Sequence, residues 1–199
     1  MVEIERVTGE TEISVRLDIY GKGEYTIDTG IGFFDHMLEL FSRHGFFDLE
    51  LKVNGDLHVD AHHTVEDTGI VLGQALKRAV GDGEGICRYG QRILPMDEVL
   101  VICALDLSGR PYYDGELQYN SQQVGDFSVE LVDEFFRSFS TRGEFNLHFK
   151  LLKTGNTHHI IEACFKAFAR ALDQALRPEE RTAGKPLSTK GSLREGEKN

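Results

Sequence analysis

The strongest signal along the chain is hydrophobic periodicity that occurs twice. Residues 11–20 alternate Ile13, Val15, Leu17 and Ile19 with polar neighbours, and residues 99–107 alternate Val101, Cys103, Leu105 and Leu107 in the same way. A period of two with one apolar face predicts a half-buried strand. Each run meets a glycine-containing turn, Gly21-Lys22-Gly23 or Gly109-Arg110-Pro111, and then a second strand, Glu24–Ile27 or Tyr112–Tyr119. This arrangement predicts a hairpin in each half.

The period then changes to that of a helix. Phe34, Met37, Leu38 and Phe41 mark a helix over 33–44, and Leu131, Val132, Phe135, Phe136 and Phe139 mark one over 129–140. A third strand follows in each half, carried by Phe47, Leu49, Leu51 and Val53 or by Phe145, Leu147, Phe149 and Leu151. A second helix closes each half, over 62–80 and 158–176. The pattern predicts an α+β fold of two tandem pseudo-symmetric β-β-α-β-α halves, with helices on one face of mostly antiparallel sheets. The halves divide as 1–92 and 93–187, with 188–199 as a C-terminal segment; from about Arg177 the chain is polar and aperiodic, as in a loose tail.

Composition narrows the function classes. The chain has 199 residues, 40% of them hydrophobic, enough for a proper core. A net charge of −11 argues against nucleic-acid binding. No run approaches the roughly 18 apolar residues of a membrane span, and the N-terminus does not read as a signal peptide. Cys87, Cys103 and Cys164 are odd in number and scattered, as expected of reduced thiols in a cytoplasmic protein.

The candidate chemistry lies where the last helix of each half begins. His62-His63-Thr64-Val65-Glu66 and His158-His159-Ile160-Ile161-Glu162 repeat one pattern, His-His-x-x-Glu. Imidazole and carboxylate together suit first-row divalent metals. Adjacent helical residues point about 100° apart, so the two histidines of a pair do not easily grip one ion. Each pair therefore serves two metals, and its missing ligands come from the other half, another subunit or the substrate. The spacing is not HExxH, which makes a zinc-peptidase reading weak. His36, on the earlier helix, has Glu134 as its counterpart in the second half, and both are candidate ligands. Two rival functions use the same ligands: a metal-storage shell, and a metallohydrolase acting on a phosphate ester.

Four segments in order, Asp28-Thr29-Gly30-Ile31-Gly32-Phe33-Phe34-Asp35-His36-Met37-Leu38, Asp60-Ala61-His62-His63-Thr64-Val65-Glu66-Asp67, Leu105-Asp106-Leu107-Ser108-Gly109-Arg110-Pro111 and His158-His159-Ile160-Ile161-Glu162-Ala163-Cys164-Phe165-Lys166-Ala167, closely resemble the imidazoleglycerol-phosphate dehydratases. The resemblance runs from about Glu5 to Gly191 and implies a duplicated fold assembled as a 24-subunit shell, with sites where subunits meet. It implies two Mn2+ ions per active site, held by His36, His62, His63, Glu66, His158, His159 and Glu162. Glu134 stands where the family usually has a histidine, and is read here as a carboxylate ligand. Substrate contacts carry over to Glu10, Arg88, Arg110, Lys166, Ser188 and Lys190; Ser188-Thr189-Lys190-Gly191 resembles the family's Ser-Ser-Lys-Gly segment, which implies that the tail is a phosphate lid.

The implied reaction dehydrates imidazole glycerol phosphate to imidazole acetol phosphate in histidine biosynthesis. The lost hydrogen is not next to a carbonyl, so simple base abstraction would be slow. The expected route is an imidazolate between two metals, which expels the hydroxyl to give a diazafulvene-like intermediate. Glu10 is the candidate proton carrier, with the ligand carboxylates Glu66 and Glu162 able to share that role.

Overall fold

A computed structural model describes residues 1–191 and 193. The first half holds β1 (Val2–Val7), β2 (Thr11–Asp18), β3 (Tyr25–Asp28), α1 (Gly32–Gly45), β4 (Asp48–Gly55) and α2 (His62–Val80). The second repeats it with β5 (Tyr89–Met96), β6 (Val99–Asp106), β7 (Tyr112–Glu116), α3 (Glu130–Gly143), β10 (Asn146–Lys153) and α4 (Thr157–Leu176); a short ribbon, β8 (Gln123–Val124) and β9 (Phe127–Ser128), precedes α3. The α+β class and the twofold repeat stand, and each four-stranded sheet is antiparallel except for one pair.

Two details differ from the sequence reading. Each half has a further strand, β1 or β5, so the unit is β-β-β-α-β-α. Both lie at sheet edges, in the orders β1-β2-β4-β3 and β5-β6-β10-β7. On β5 only Gly90 is buried, Ile93 is exposed and Pro95 interrupts the run, so its hydrophobic alternation is lost. This strand begins inside the 1–92 segment yet belongs to the second sheet.

The predicted β2–β3 and β6–β7 hairpins do not form. The hairpin partners are β1–β2 and β5–β6, while β3 and β7 run parallel to β4 and β10 at the opposite edges. Strand β2 already has β1 and β4 on its two sides, leaving β3 only the outer edge of β4. The turn before β3 is folded onto the start of β4, where the Asp48 carboxylate accepts the N–H groups of Lys22 at 2.7 Å and Glu24 at 2.9 Å.

The helices form a layer between the two sheets, and they pair across the halves. α2 rests on β1, β2 and β4 but packs on α3; α4 rests on β5 and β6 but packs on α1. Phenylalanine fills the centre: Phe34, Phe41, Phe135, Phe136, Phe139, Phe145, Phe165 and Phe168 are almost fully buried. Phe41 stacks on Phe168 at 5.6 Å between ring centroids, and Phe135 stacks on Phe165 at 5.3 Å. Each such side chain contributes about 1.5–3 kcal/mol through burial.

Where α2 crosses α3 the backbones touch. A Cβ on Gly69 would lie 2.7 Å from the Phe135 carbonyl oxygen, and one on Gly73 2.6 Å from that of Phe139. Four residues along one helix match four along the other, so α2 and α3 run parallel.

The described part of the tail is tied down rather than loose. Pro178 bridges to Ile86 and Pro186 to Glu84, a 3-10 turn spans Glu180–Thr182, and Leu193 is buried beside Gly83. The rest of the expected 188–199 segment, Ser192 and residues 194–199, lies outside the described residues. Cys103 and Cys164 are buried, and burial pushes both thiols above their usual range. No described helix is long and apolar enough to cross a membrane.

Gly73→Ala tests the contact between α2 and α3. Alanine should gain about 1 kcal/mol in helix propensity, but crowding against backbone costs more, for a net loss of about 1–2 kcal/mol. Chemical denaturation would measure it, and unchanged stability would show that the helices can move apart freely.

Candidate metal centre and anion cavity

Both His-His helices start in the same way. The Asp60 carboxylate accepts the backbone N–H of His62 at 2.8 Å, and the Asn156 side chain accepts that of His158 at 2.9 Å. Such caps satisfy donors that the first helical turn leaves free. Within each pair the rings stand nearly perpendicular, at 88° and 85°, with centroids 6.1 and 6.2 Å apart. The two histidines of a pair accordingly face different surroundings.

His158 turns toward α1. Its Nε2 is 3.6 Å from Glu162 Oε1, and the same oxygen lies 2.8 Å from His36 Nε2. These three residues form a compact group of possible metal ligands. Phe33 packs edge-on against His158, and the Glu162 side chain is only 8% exposed. Burial alone would push the Glu162 carboxyl up, but Lys166 at 3.0 Å and His36 outweigh it and leave it below its usual range. The group is an anionic carboxylate between two imidazoles.

His159 turns the other way. Its Nδ1 is 3.0 Å from Glu98, and its Nε2 is 4.0 Å from Asp97. Glu98 also accepts the backbone N–H of Asn156 at 2.6 Å; that bond, its own N–H and His159 hold its carboxyl down at about 2. In the first half, His63 Nδ1 is 3.0 Å from Asp56, whose hydrogen bond raises the imidazole above its usual range. Glu10 lies 3.7 Å from His63 Nε2. Thus each outer histidine has one nitrogen set by a carboxylate, which fixes its ring orientation.

His62 Nε2 is 3.8 Å from Glu66. Glu134 engages its own helix, accepting from Arg137 Nη1 at 2.6 Å, with Ser138 Oγ at 3.5 Å.

A second feature is a cavity of about 900 Å³ between the tail and the β6–β7 turn. Arg88, Arg110, Arg181, Lys185 and Lys190 line it, together with Ser188. In a chain of net charge −11 this concentration of cations marks a place for an anion. Arg88 adopts φ +71°, unusual for a residue with a side chain. A two-point bond to Asp106, at 2.7 and 3.0 Å, holds its guanidinium, and Nη1 donates to the Leu187 carbonyl at 2.6 Å. Arg88 therefore fastens the tail across the cavity.

Residues 29–172 match the family model described as imidazoleglycerol-phosphate dehydratase. The chain belongs to this family. A dehydratase from Acetivibrio thermocellus is 55% identical over 191 residues, covering 96% of this chain and 97% of that protein. One from Caldanaerobacter subterraneus is 56% identical over 191 residues, covering 96% and 98%. Among solved structures, the Staphylococcus aureus dehydratase has a TM-score of 0.80 at 39% identity, covering 90% of this chain and all of that one. The Pyrococcus furiosus dehydratase, in complex with (S)-C348, has a TM-score of 0.82 at 34% identity, covering 94% and 99%.

As a dehydratase chain, this one brings together part of the expected site. His36, His158 and Glu162 meet, with Lys166 beside them; Arg88, Arg110, Ser188 and Lys190 meet in the cavity. His62 lies with Glu66, and His63 with Glu10, but neither pair joins the first group in this chain. Glu98, the repeat counterpart of Glu10, was expected to be structural, and it orients His159; Asp56, Asp97, Asp106, Arg181 and Lys185 were not foreseen. Isolated carboxylates and tail cations carry no local spacing signal, although Asp106 ends β6, whose register places it opposite Tyr89, next to Arg88.

Asp106→Ala would leave the Arg88 guanidinium partly buried without its partner. The expected loss is about 1–3 kcal/mol, with faster proteolysis of the tail beyond Arg177. Equal stability and equal cleavage would remove Asp106 from the support of this cavity.

Proposed function

We propose that this chain dehydrates imidazoleglycerol phosphate to imidazole acetol phosphate, a step of histidine biosynthesis, in the cytoplasm. The observation that carries the reading is the pairing of two unlike features in one dehydratase chain. An imidazole–carboxylate group suits a metal-bound ring, and a cation-lined cavity suits a phosphate.

Two imidazole nitrogens and one buried carboxylate oxygen fit a first-row divalent ion. The proposed ligands are His36, His158 and Glu162 for one ion and His62, Glu66 and Glu134 for another, with His63 and His159 reaching ions of neighbouring copies. The reading assigns two Mn2+ per active site. When bound, they supply Lewis acidity to the imidazole ring nitrogens.

The chain's own groups then orient the substrate and move protons. Arg88, Arg110, Ser188 and Lys190 hold the phosphate, with a planar fork well matched to its oxygens in each arginine. Lys166, with His36, holds the Glu162 carboxyl below its usual range against the effect of burial. Overall, the hydroxyl beside the ring leaves as water, the next carbon gives up its hydrogen, and the resulting enol becomes the ketone while the phosphate stays. Glu10, with a half-exposed carboxylate near His63, is the proposed proton carrier.

Helix length supports an assembled site. Arg88 N–H bonds to the Ala175 carbonyl near the end of α4, whereas His158 stands at its beginning. At 1.5 Å per residue the two regions are about 25 Å apart, too far for one small substrate. The metal set of one copy therefore works with the cavity of another, in keeping with a 24-subunit shell.

The deciding experiment incubates metal-loaded protein with imidazoleglycerol phosphate and follows ketone and inorganic phosphate together. Ketone without phosphate release is expected; phosphate release would favour a metallohydrolase, and no turnover a storage protein. Glu10→Gln should lower kcat by about 10²–10⁴-fold while metal content and particle size hold. Wild-type turnover in that variant would remove Glu10 from the reaction. His158→Ala should lose both bound metal and the large assembly, as read by metal analysis and light scattering.

A further inference from the structure

The internal repeat allows the two metal sets to be compared residue by residue, and one position breaks it. α1 and α3 occupy equivalent places, which makes Glu134 the counterpart of His36. The α2–α3 contacts at Gly69 and Gly73 fix a parallel register. One turn back from Gly69, Glu66 is level with the α3 turn that carries Glu134. By the repeat Glu134 is the counterpart of His36 toward His62 and Glu66, although these three are not drawn within ligand reach of one another as His36, His158 and Glu162 are.

The residue three positions further along inverts as well. His36 Nδ1 faces the Glu39 carboxylate at 3.8 Å, whereas Glu134 Oε2 accepts from Arg137 at 2.6 Å. A carboxylate behind an imidazole makes its free nitrogen a better donor to a metal. A guanidinium on a carboxylate does the reverse, because it draws on the same oxygen lone pairs that a metal would use. The first set is two nitrogens and one oxygen, with Lys166 on the other oxygen of its carboxylate; the second is one nitrogen and two oxygens, with Arg137 on Glu134.

We propose that the two metal sets are chemically unequal. The His36–His158–Glu162 set is the tighter and prefers nitrogen-seeking ions such as Zn2+. The His62–Glu66–Glu134 set is the weaker, prefers oxygen-seeking ions such as Mn2+, and is weakened further by Arg137. Histidines 63 and 159, supplied by neighbouring copies, add one imidazole to each set and preserve the difference. The inference rests on the proposed function in taking both sets as metal sites and in supplying His63 and His159 from neighbouring copies.

The test is calorimetric titration of the metal-stripped full-length chain with Zn2+ and, separately, with Mn2+. Zn2+ should show two affinity classes at least about tenfold apart, with a smaller gap for Mn2+. Glu134→His should close most of the Zn2+ gap. Arg137→Gln, a change at an exposed side chain, should tighten the weaker Mn2+ class several-fold and leave the tighter class alone. Two indistinguishable Zn2+ classes in the unmodified chain, or an unchanged gap in Glu134→His, would overturn the inference alone. Absence of any metal binding would overturn the proposed function with it.

Discussion

The constraint on which the structure depends is the crossing of helices between halves. α1 packs on α4 and α2 on α3, so each half completes its core with helices of the other. Phenylalanine makes that exchange firm at one seam, where Phe41 meets Phe139 and Phe168. Glycine makes it close at the other, where Gly69 and Gly73 let two backbones touch. Interiors packed to this density transmit small shifts rather than absorb them. The phenylalanine seam brings His36 of α1 to Glu162 of α4.

From that frame the chemistry follows with little further machinery. A helix start offers side chains at about 100° intervals, and the caps from Asp60 and Asn156 fix where each helix begins. One histidine of each pair looks along the seam; the other looks outward to Asp56 or Glu98. The inward His158 gathers with His36 and Glu162 within one chain, whereas the outward His63 and His159 are oriented by carboxylates. The same division separates the metal group from the cation cavity, since α4 holds them at its opposite ends.

Much of this was legible in the sequence because it is periodic. The central strands β2 and β6 bury every second residue, and the four long helices carry apolar stripes that their burial matches. Of the edge strands β1 and β5 escaped notice, and an edge strand need not alternate: β5 exposes Ile93 and contains Pro95. The mistaken hairpins had a different source. A glycine turn says that the chain reverses, not which neighbour it will join, and β3 finds the far side of β4 because β1 already holds β2. In the site, the duplicated histidines were visible as a motif. Asp106 and Asp56 were not, since they act through a partner remote in sequence.

The crossed helices also bear on how such a chain could have arisen. The His36–His158–Glu162 group takes one member from α1 and the others from a helix of the opposite half, and the proposed second set would do the same through Glu134 on α3. A half-length precursor built on this plan could not have closed a site alone; two copies would have had to exchange helices, giving a pair of identical sites related by a twofold axis. Joining those copies end to end removes the requirement that the two sites stay the same. A substitution could then enter one copy without its mirror image entering the other, and the His36–Glu39 and Glu134–Arg137 pairs are that freedom written into one chain.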